Sequence, residues 1–179
     1  MTEYYDLSPN HSADARVAAR RRAHSYAFSY VLEDRGPIAD PPELSWDWVA
    51  PFPFPDWVLA NDTIRVFSPR MAEVVRANLG PRDEVQWLEG TVVTPDGTTH
   101  RHEIPHFLSY PDVLDQEATT WGPSGLPIRW VLSRPKLAGL RFFAREGAAG
   151  PVIVDDTMLT ALQAAGLTGF TATPARITG

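Results

Sequence analysis

The chain contains no cysteine, so neither disulfides nor thiolate metal sites are open to it. Lysine is almost missing as well: of the 16 basic residues Lys136 is the single lysine, the rest being arginine. Positive charge is short overall, with 16 basic against 22 acidic residues and a net charge of −6. That balance argues against nucleic acid as the main ligand, because phosphate binding needs clustered cations. The one basic cluster, Arg20-Arg21-Arg22, reads as the solvated face of a short helix over Ala13 to His24. No run approaches the roughly eighteen apolar residues of a membrane helix, so no membrane partner is expected. The opening MTEYYDLSPN lacks the basic-then-apolar order of a secretory signal, and the expected compartment is the cytoplasm.

What the chain does have is a concentration of aromatic side chains and proline. Ser45 to Trp57 reads SWDWVAPFPFPDW, with three tryptophans, two phenylalanines and three prolines. Six prolines fall between Gly36 and Pro55, which favours extended backbone over helix. From Arg35 to Arg65 the acids Asp40, Glu43, Asp47, Asp56 and Asp62 are met by no base in between. The aromatics are too costly to leave in water, so at least two of the five are expected in the core. The remainder, with its acids, forms a candidate partner-binding edge of Asp47, Trp48, Asp56, Trp57 and Asp62.

Downstream the pattern is regular. Thr63 to Phe67 is β-like, Ser68-Pro69 starts a helix, and Met71, Val74, Val75 and Leu79 share one face before Gly80-Pro81 stops it. Val85 to Leu88 reads as a strand, and Val92 to Thr94 with Thr98 to Ile104 as a hairpin around Pro95-Asp96-Gly97. A loop from Tyr110 to Leu126 precedes the strands IRWVL and LRFFA. Near the end the grammar returns: Val152 to Val154 as strand, Asp155 as cap, then Met158, Ala161, Leu162 and Ala165 at helical spacing. Leu167 is expected to pack back over Gly166, and Gly169 to Thr173 to leave as a strand. Ser68–Leu79 slides onto Asp155–Gly166 without a gap, Met71 on Met158. The expected fold is therefore α+β: a mixed or antiparallel sheet, two strand–helix–strand units and few short helices. Residues 1–36 read as a peripheral segment and 37–179 as one domain.

The sequence offers two further sites. On a strand, the HRHEIPH stretch places His100, His102 and His106 on one face with Ile104, and two such histidines can converge on a divalent metal. Asp112 or Asp115 would supply a third ligand, although Pro105 interrupts the ladder and re-aims His106. A metal-dependent enzyme on His100 and His102 is one alternative function. A small-ligand module stacking rings on Trp46, Trp48 or Trp57 is another. No Gly-x-Ser-x-Gly elbow or phosphate-cradling glycine loop is present, and Asp155-Asp156 is explained by the positive end of a helix dipole.

The order WDWVAPFPFPDW, IRVFSPRMAEVVRANLG, VQWLEG, hairpin, GLRFFAREG, VIVDDTMLTALQAAGLTGF resembles immunity family eleven, a group of small bacterial proteins encoded beside polymorphic toxins. The likeness spans Leu44 to Pro174, and its most specific piece, AGLTGF, is similar to the family's closing glycine-leucine-threonine-glycine turn. Two features depart from the family: Asp155 stands where serine is more usual, and the histidine-rich strand is atypical. The resemblance implies an immunity protein that binds a cognate toxin stoichiometrically and blocks its active site or a needed movement. It brings no catalytic residue and no cofactor.

Overall fold

Two strand–helix–strand units organise the chain, as the spacing predicts. In the computed structural model, residues 2–10, 35–49, 54–60, 64–145 and 151–179 are described, together with the backbone of 18–21. The first unit is β5 (Arg65–Phe67), α1 (Pro69–Asn78) and β6 (Val85–Val93). The second is β12 (Val152–Asp155), α3 (Asp156–Ala164) and β13 (Phe170–Pro174). Both helices start by the same physics. The Ser68 hydroxyl accepts the Met71 N–H at 3.1 Å, and the Asp155 carboxylate accepts the Met158 N–H at 2.8 Å. Met71 and Met158, which the alignment of the two halves superposes, are both fully buried in one core cluster, and the two helices lie against each other.

The helix ends differ. After α3 the N–H of Leu167 reaches Leu162 O at 3.2 Å and that of Gly166 reaches Gln163 O at 2.9 Å. That double bond needs a left-handed residue, and Gly166 supplies it at φ +63°. Leu167 is then buried over the turn, as expected.

Both units are split in the same way. β5 and β6 flank β7 (Thr99–Phe107) and are antiparallel to it. β12 and β13 flank β1 (Tyr4–Pro9) and are antiparallel to it. Each helix thus joins two parallel strands with a third inserted between them. The inserted strand follows the first unit in sequence and precedes the second.

The described part of residues 1–36 is built into the sheets rather than peripheral to them. β1 lies inside the four-stranded sheet β11-β12-β1-β13, where β11 is Phe142–Ala144, and Leu7 is fully buried there. β2 (Ala18–Arg21) closes a six-stranded barrel of order β2-β3-β6-β7-β5-β4, with β3 at Ser45–Trp48 and β4 at Trp57–Ala60. A helix over Ala13 to His24 is therefore wrong at 18–21, where pairing to β3 and β4 imposes an extended backbone. The rest of that stretch, with Arg22 and the apolar run 27–32, lies outside the described residues.

Alternation along the barrel strands fills the interior with Trp46, Trp48, Val58, Val66, Leu88, Val92 and Ile104. Gly90 does not end a strand: β6 runs unbroken to Val93. A Cβ at Gly90 would lie 2.5 Å from Ile104 Cδ1 and 2.9 Å from Trp46 Cζ3, so the missing side chain makes room for both. β7 likewise continues through Pro105, opposite Trp87. β5 meets β7 at Glu103 and no further among the described residues, so the absent N–H falls where no strand runs beside it.

Outside the barrel, Trp57, Phe67 and Phe107 pack with Leu7, Phe142, Val154 and both helices in a second core. The far face of the four-stranded sheet carries a third, where the Tyr4 hydroxyl sits 3.0 Å from the Leu137 and Leu140 carbonyls. Those carbonyls belong to α2 (Arg134–Leu137) and the turn after it. β10 (Leu132–Ser133) pairs in parallel with β14 (Ile177–Thr178) beside them. No helix among the described residues is long and apolar enough to cross a membrane.

Candidate functional site

The aromatic-proline stretch belongs to the interior. Trp46, Trp48 and Trp57 are 1%, 2% and 3% exposed, which leaves none of them free for a partner or for stacking a sugar. Asp56 is buried too. Its carboxylate accepts from Ser68 Oγ at 2.7 Å, Arg70 Nη2 at 2.8 Å and the Thr168 N–H at 2.9 Å. The docking edge read from the sequence thus loses Trp48, Asp56 and Trp57 to the core. Asp47 remains half-buried on the outer side of β3, and Asp62 lies outside the described residues.

Asp56 instead joins three elements: the start of β4, the cap of α1 and the turn after α3. Burial pushes its carboxyl upward, but the hydrogen bonds from Arg70, Ser68 and Thr168 outweigh that and hold it below the usual range. The charged form is therefore favoured in the folded chain. Its stabilising contribution is complete above the unfolded value, near pH 4, and disappears as pH falls through the lowered folded value. Asp56→Asn should cost about 1.5–3 kcal/mol at neutral pH. Thermal midpoints of wild type and Asp56→Asn should converge below about pH 4, since other titrations are common to both. A gap that stays constant down to pH 2 would refute this role.

The metal reading of His100, His102 and His106 finds no third ligand among the described residues. His102 and His106 stand four residues apart on one continuous strand, about 13 Å, too far to share an ion. The His102 ring faces the His100 carbonyl at 3.2 Å from Nδ1, and that oxygen can only accept, so Nδ1 carries the proton. Burial, opposed by that hydrogen bond, holds the His102 pKa below its ordinary value. His106 Nε2 donates to Gly36 O at 2.8 Å. His100 and His102 both pack edge-on against Phe54 at 4.7 and 5.5 Å. Asp112 is tied to Lys136 at 2.8 Å, and Asp115 caps the turn after it by accepting the N–H groups of Glu117 and Ala118 at 3.0 Å. Among the described residues no group of three histidine or acidic side chains could hold a metal ion.

The surface feature with chemistry to offer starts in the stretch read as a loop, Tyr110 to Leu126, and runs into the strand read at IRWVL, whose first part ends at Arg129. β8 (Thr120–Trp121) and β9 (Pro127–Arg129) form a small hairpin. At its tip Gly125 N–H closes on Gly122 O at 3.0 Å, and Gly122 N–H on Leu126 O at 2.8 Å. Its base is held by the Thr119 hydroxyl, 3.2 Å from both Val131 N and Val131 O. The Trp121 indole N–H donates to Gln116 O at 3.1 Å and so has a set orientation.

Four large apolar side chains are exposed among the described residues, and three of them, Trp121 (39%), Leu126 (69%) and Ile128 (69%), sit on this hairpin. Singly scattered apolar residues mean little, but a cluster on one protruding element marks an interaction surface. Beside the hairpin opens a pocket of about 660 Å³ lined by Tyr110, Trp121, Leu126, Trp130, Arg35 and Arg145 among others. The Arg145 guanidinium lies over the Trp130 ring, a cation–π contact. Burial lowers its pKa to about 10, partly opposed by Asp6, so it stays charged at neutral pH. Trp121 and Trp130 lie far from the aromatic-proline stretch in sequence. The legible signal was Trp121, Leu126, Ile128 and Trp130 falling within ten residues around a Gly-Pro-Ser-Gly turn.

The aromatic-proline stretch and the AGLTGF turn touch each other. Trp57 N–H donates to Thr168 O at 3.1 Å, and Gly169 packs on the Pro55–Trp57 backbone. Compared with known proteins, the chain matches no family model and no curated protein.

Proposed function

We propose that this chain is a cytoplasmic immunity protein that neutralises a cognate toxin by stoichiometric binding, with the Thr120–Arg129 hairpin as its principal contact. The observation that carries the reading is the clustering of Trp121, Leu126 and Ile128 in water on one anchored hairpin. The likeness of the quoted stretches to immunity family eleven supplies the kind of partner. The hairpin presents two flexible aliphatic side chains beside an indole with a set orientation. Interface hot spots favour an ordered tryptophan beside a concavity, and the aliphatic neighbours add apolar area around it.

Co-expression with the toxin encoded beside it should rescue growth and give a complex that co-purifies at one to one. Neither rescue nor complex would reject the reading. Within it, Leu126→Asp and Ile128→Asp should each weaken binding by roughly thirtyfold, the size of a single hot spot. Both positions are mostly exposed, so thermal midpoints should hardly move. Undiminished affinity in the double variant would remove the hairpin from the interface.

A further inference from the structure

We propose that the pocket beside the hairpin is a binding site for a carboxylate carried on an aromatic or other apolar frame, with Arg145 as its anion contact. The inference does not depend on the toxin reading. Three observations carry it. The cavity, about 660 Å³, is of the size that encloses a small organic ligand. Its walls are apolar and flat, from Tyr110, Trp121, Leu126 and Trp130. Its polar end holds a cation whose bonding is incomplete: Arg145 Nε is buried and has no hydrogen-bond partner among the described residues.

The geometry of the arginine selects the ligand. Lying over Trp130, the guanidinium gives its face to the ring, and its in-plane Nε–H is left without an acceptor among the described residues. Carboxylate is the planar acceptor that matches the guanidinium fork with two parallel bonds. The acid on the pocket wall does not take this role, because Asp112 is engaged by Lys136 at 2.8 Å. Asp6 acts on Arg145 through its charge, so the cation is held in place without being saturated. An apolar frame would bury against the indoles while its carboxylate completes the Arg145 shell.

The chemistry can come from a free acid or from the end of a peptide, and two probe pairs separate them. Indole-3-acetate is titrated into the full-length chain by calorimetry beside indole-3-acetamide, and Gly-Gly-Trp beside its C-terminal amide. One acid should bind with Kd of about 1 mM or tighter and exceed its amide by about tenfold or more. The tighter acid identifies the source. Arg145→Met should abolish the preference for acid over amide while the thermal midpoint holds. If that variant does not fold, the acid–amide comparison on the wild type decides alone. Equal binding of acid and amide, no binding of either acid at 10 mM (about tenfold above the expected Kd), or a preference that survives in folded Arg145→Met overturns the proposal.

Discussion

Trp46→Ala should lower stability by about 3–5 kcal/mol, the cost of emptying an indole-sized volume from a packed interior. For a chain of 179 residues, each kcal/mol shifts the thermal midpoint by about 2–4 °C, so a drop on the order of 10 °C is expected. Trp46 is 1% exposed and sits inside the barrel against Gly90 and Ile104. That contact supplies a second, sharper test. Gly90→Ala alone places a methyl 2.5 Å from Ile104 Cδ1 and 2.9 Å from Trp46 Cζ3 and should overpack the barrel at about 1–3 kcal/mol. In the Trp46→Ala background the indole is gone, and the end of the Ile104 side chain can swing into the vacated space and make room for the methyl. The double variant should therefore cost less than the two singles added, by 0.5 kcal/mol or more on the order expected for touching residues. Additive losses from denaturant melts would mean that the indole does not fill the barrel as described.

Gly169→Ala should be comparably damaging, for a different reason. Gly169 has φ +90°, and an added Cβ would lie 2.4 Å from Trp57 O and 2.6 Å from Pro55 Cβ. The first neighbour is backbone and cannot rotate away, so the turn after α3 would have to lift off the start of β4. Roughly 1–2 kcal/mol comes from the left-handed conformation alone. The overlap adds about 1–3 kcal/mol more. Gly97 is the natural control, at φ +87° with nothing within 4 Å of its built Cβ. Gly97→Ala should show the conformational cost only, about 1–2 kcal/mol. If the two substitutions melt alike, the closing turn does not press on the aromatic-proline stretch. A larger loss at Gly169 also predicts loss of protection in the α1 cap, since Asp56 ties Ser68 to Thr168 across the same contact.

Most of the local grammar was legible in the chain. Ser68 and Asp155 announce helices because a short polar side chain can satisfy an N–H that no preceding turn can reach. Gly166 and Leu167 announce an exit because only a left-handed residue lets the chain double back. That at least two of the five aromatics of the Ser45–Trp57 stretch are buried follows from the cost of wetting them, while Trp48 and Trp57, read as a partner edge, were drawn inside by packing beyond that stretch. The caps, the exit and the need for burial each rest on residues within a few positions of one another, and there the structure agrees with the reading.

The misreadings are all long-range. Tyr4–Pro9 is central to a sheet because β12 and β13 leave a strand-wide gap that it fills antiparallel to both, and nothing in YYDLSP records that gap. The strand read over Val85 to Leu88 runs on through Gly90 to Val93, where Trp46, forty-four residues earlier, occupies the space of the missing side chain. Asp56 reads as a surface acid until Arg70 and Thr168 close on it. The three histidines share a strand face, but a straight strand spreads that face over more length than one ion can span. Composition and spacing determined the two strand–helix–strand units, their caps and the need to bury aromatics, since those forces act within a turn or a strand. Which strands meet, which acids lose water and which apolar side chains on the hairpin stay wet was decided by the tertiary structure, because each depends on atoms that only folding brings together.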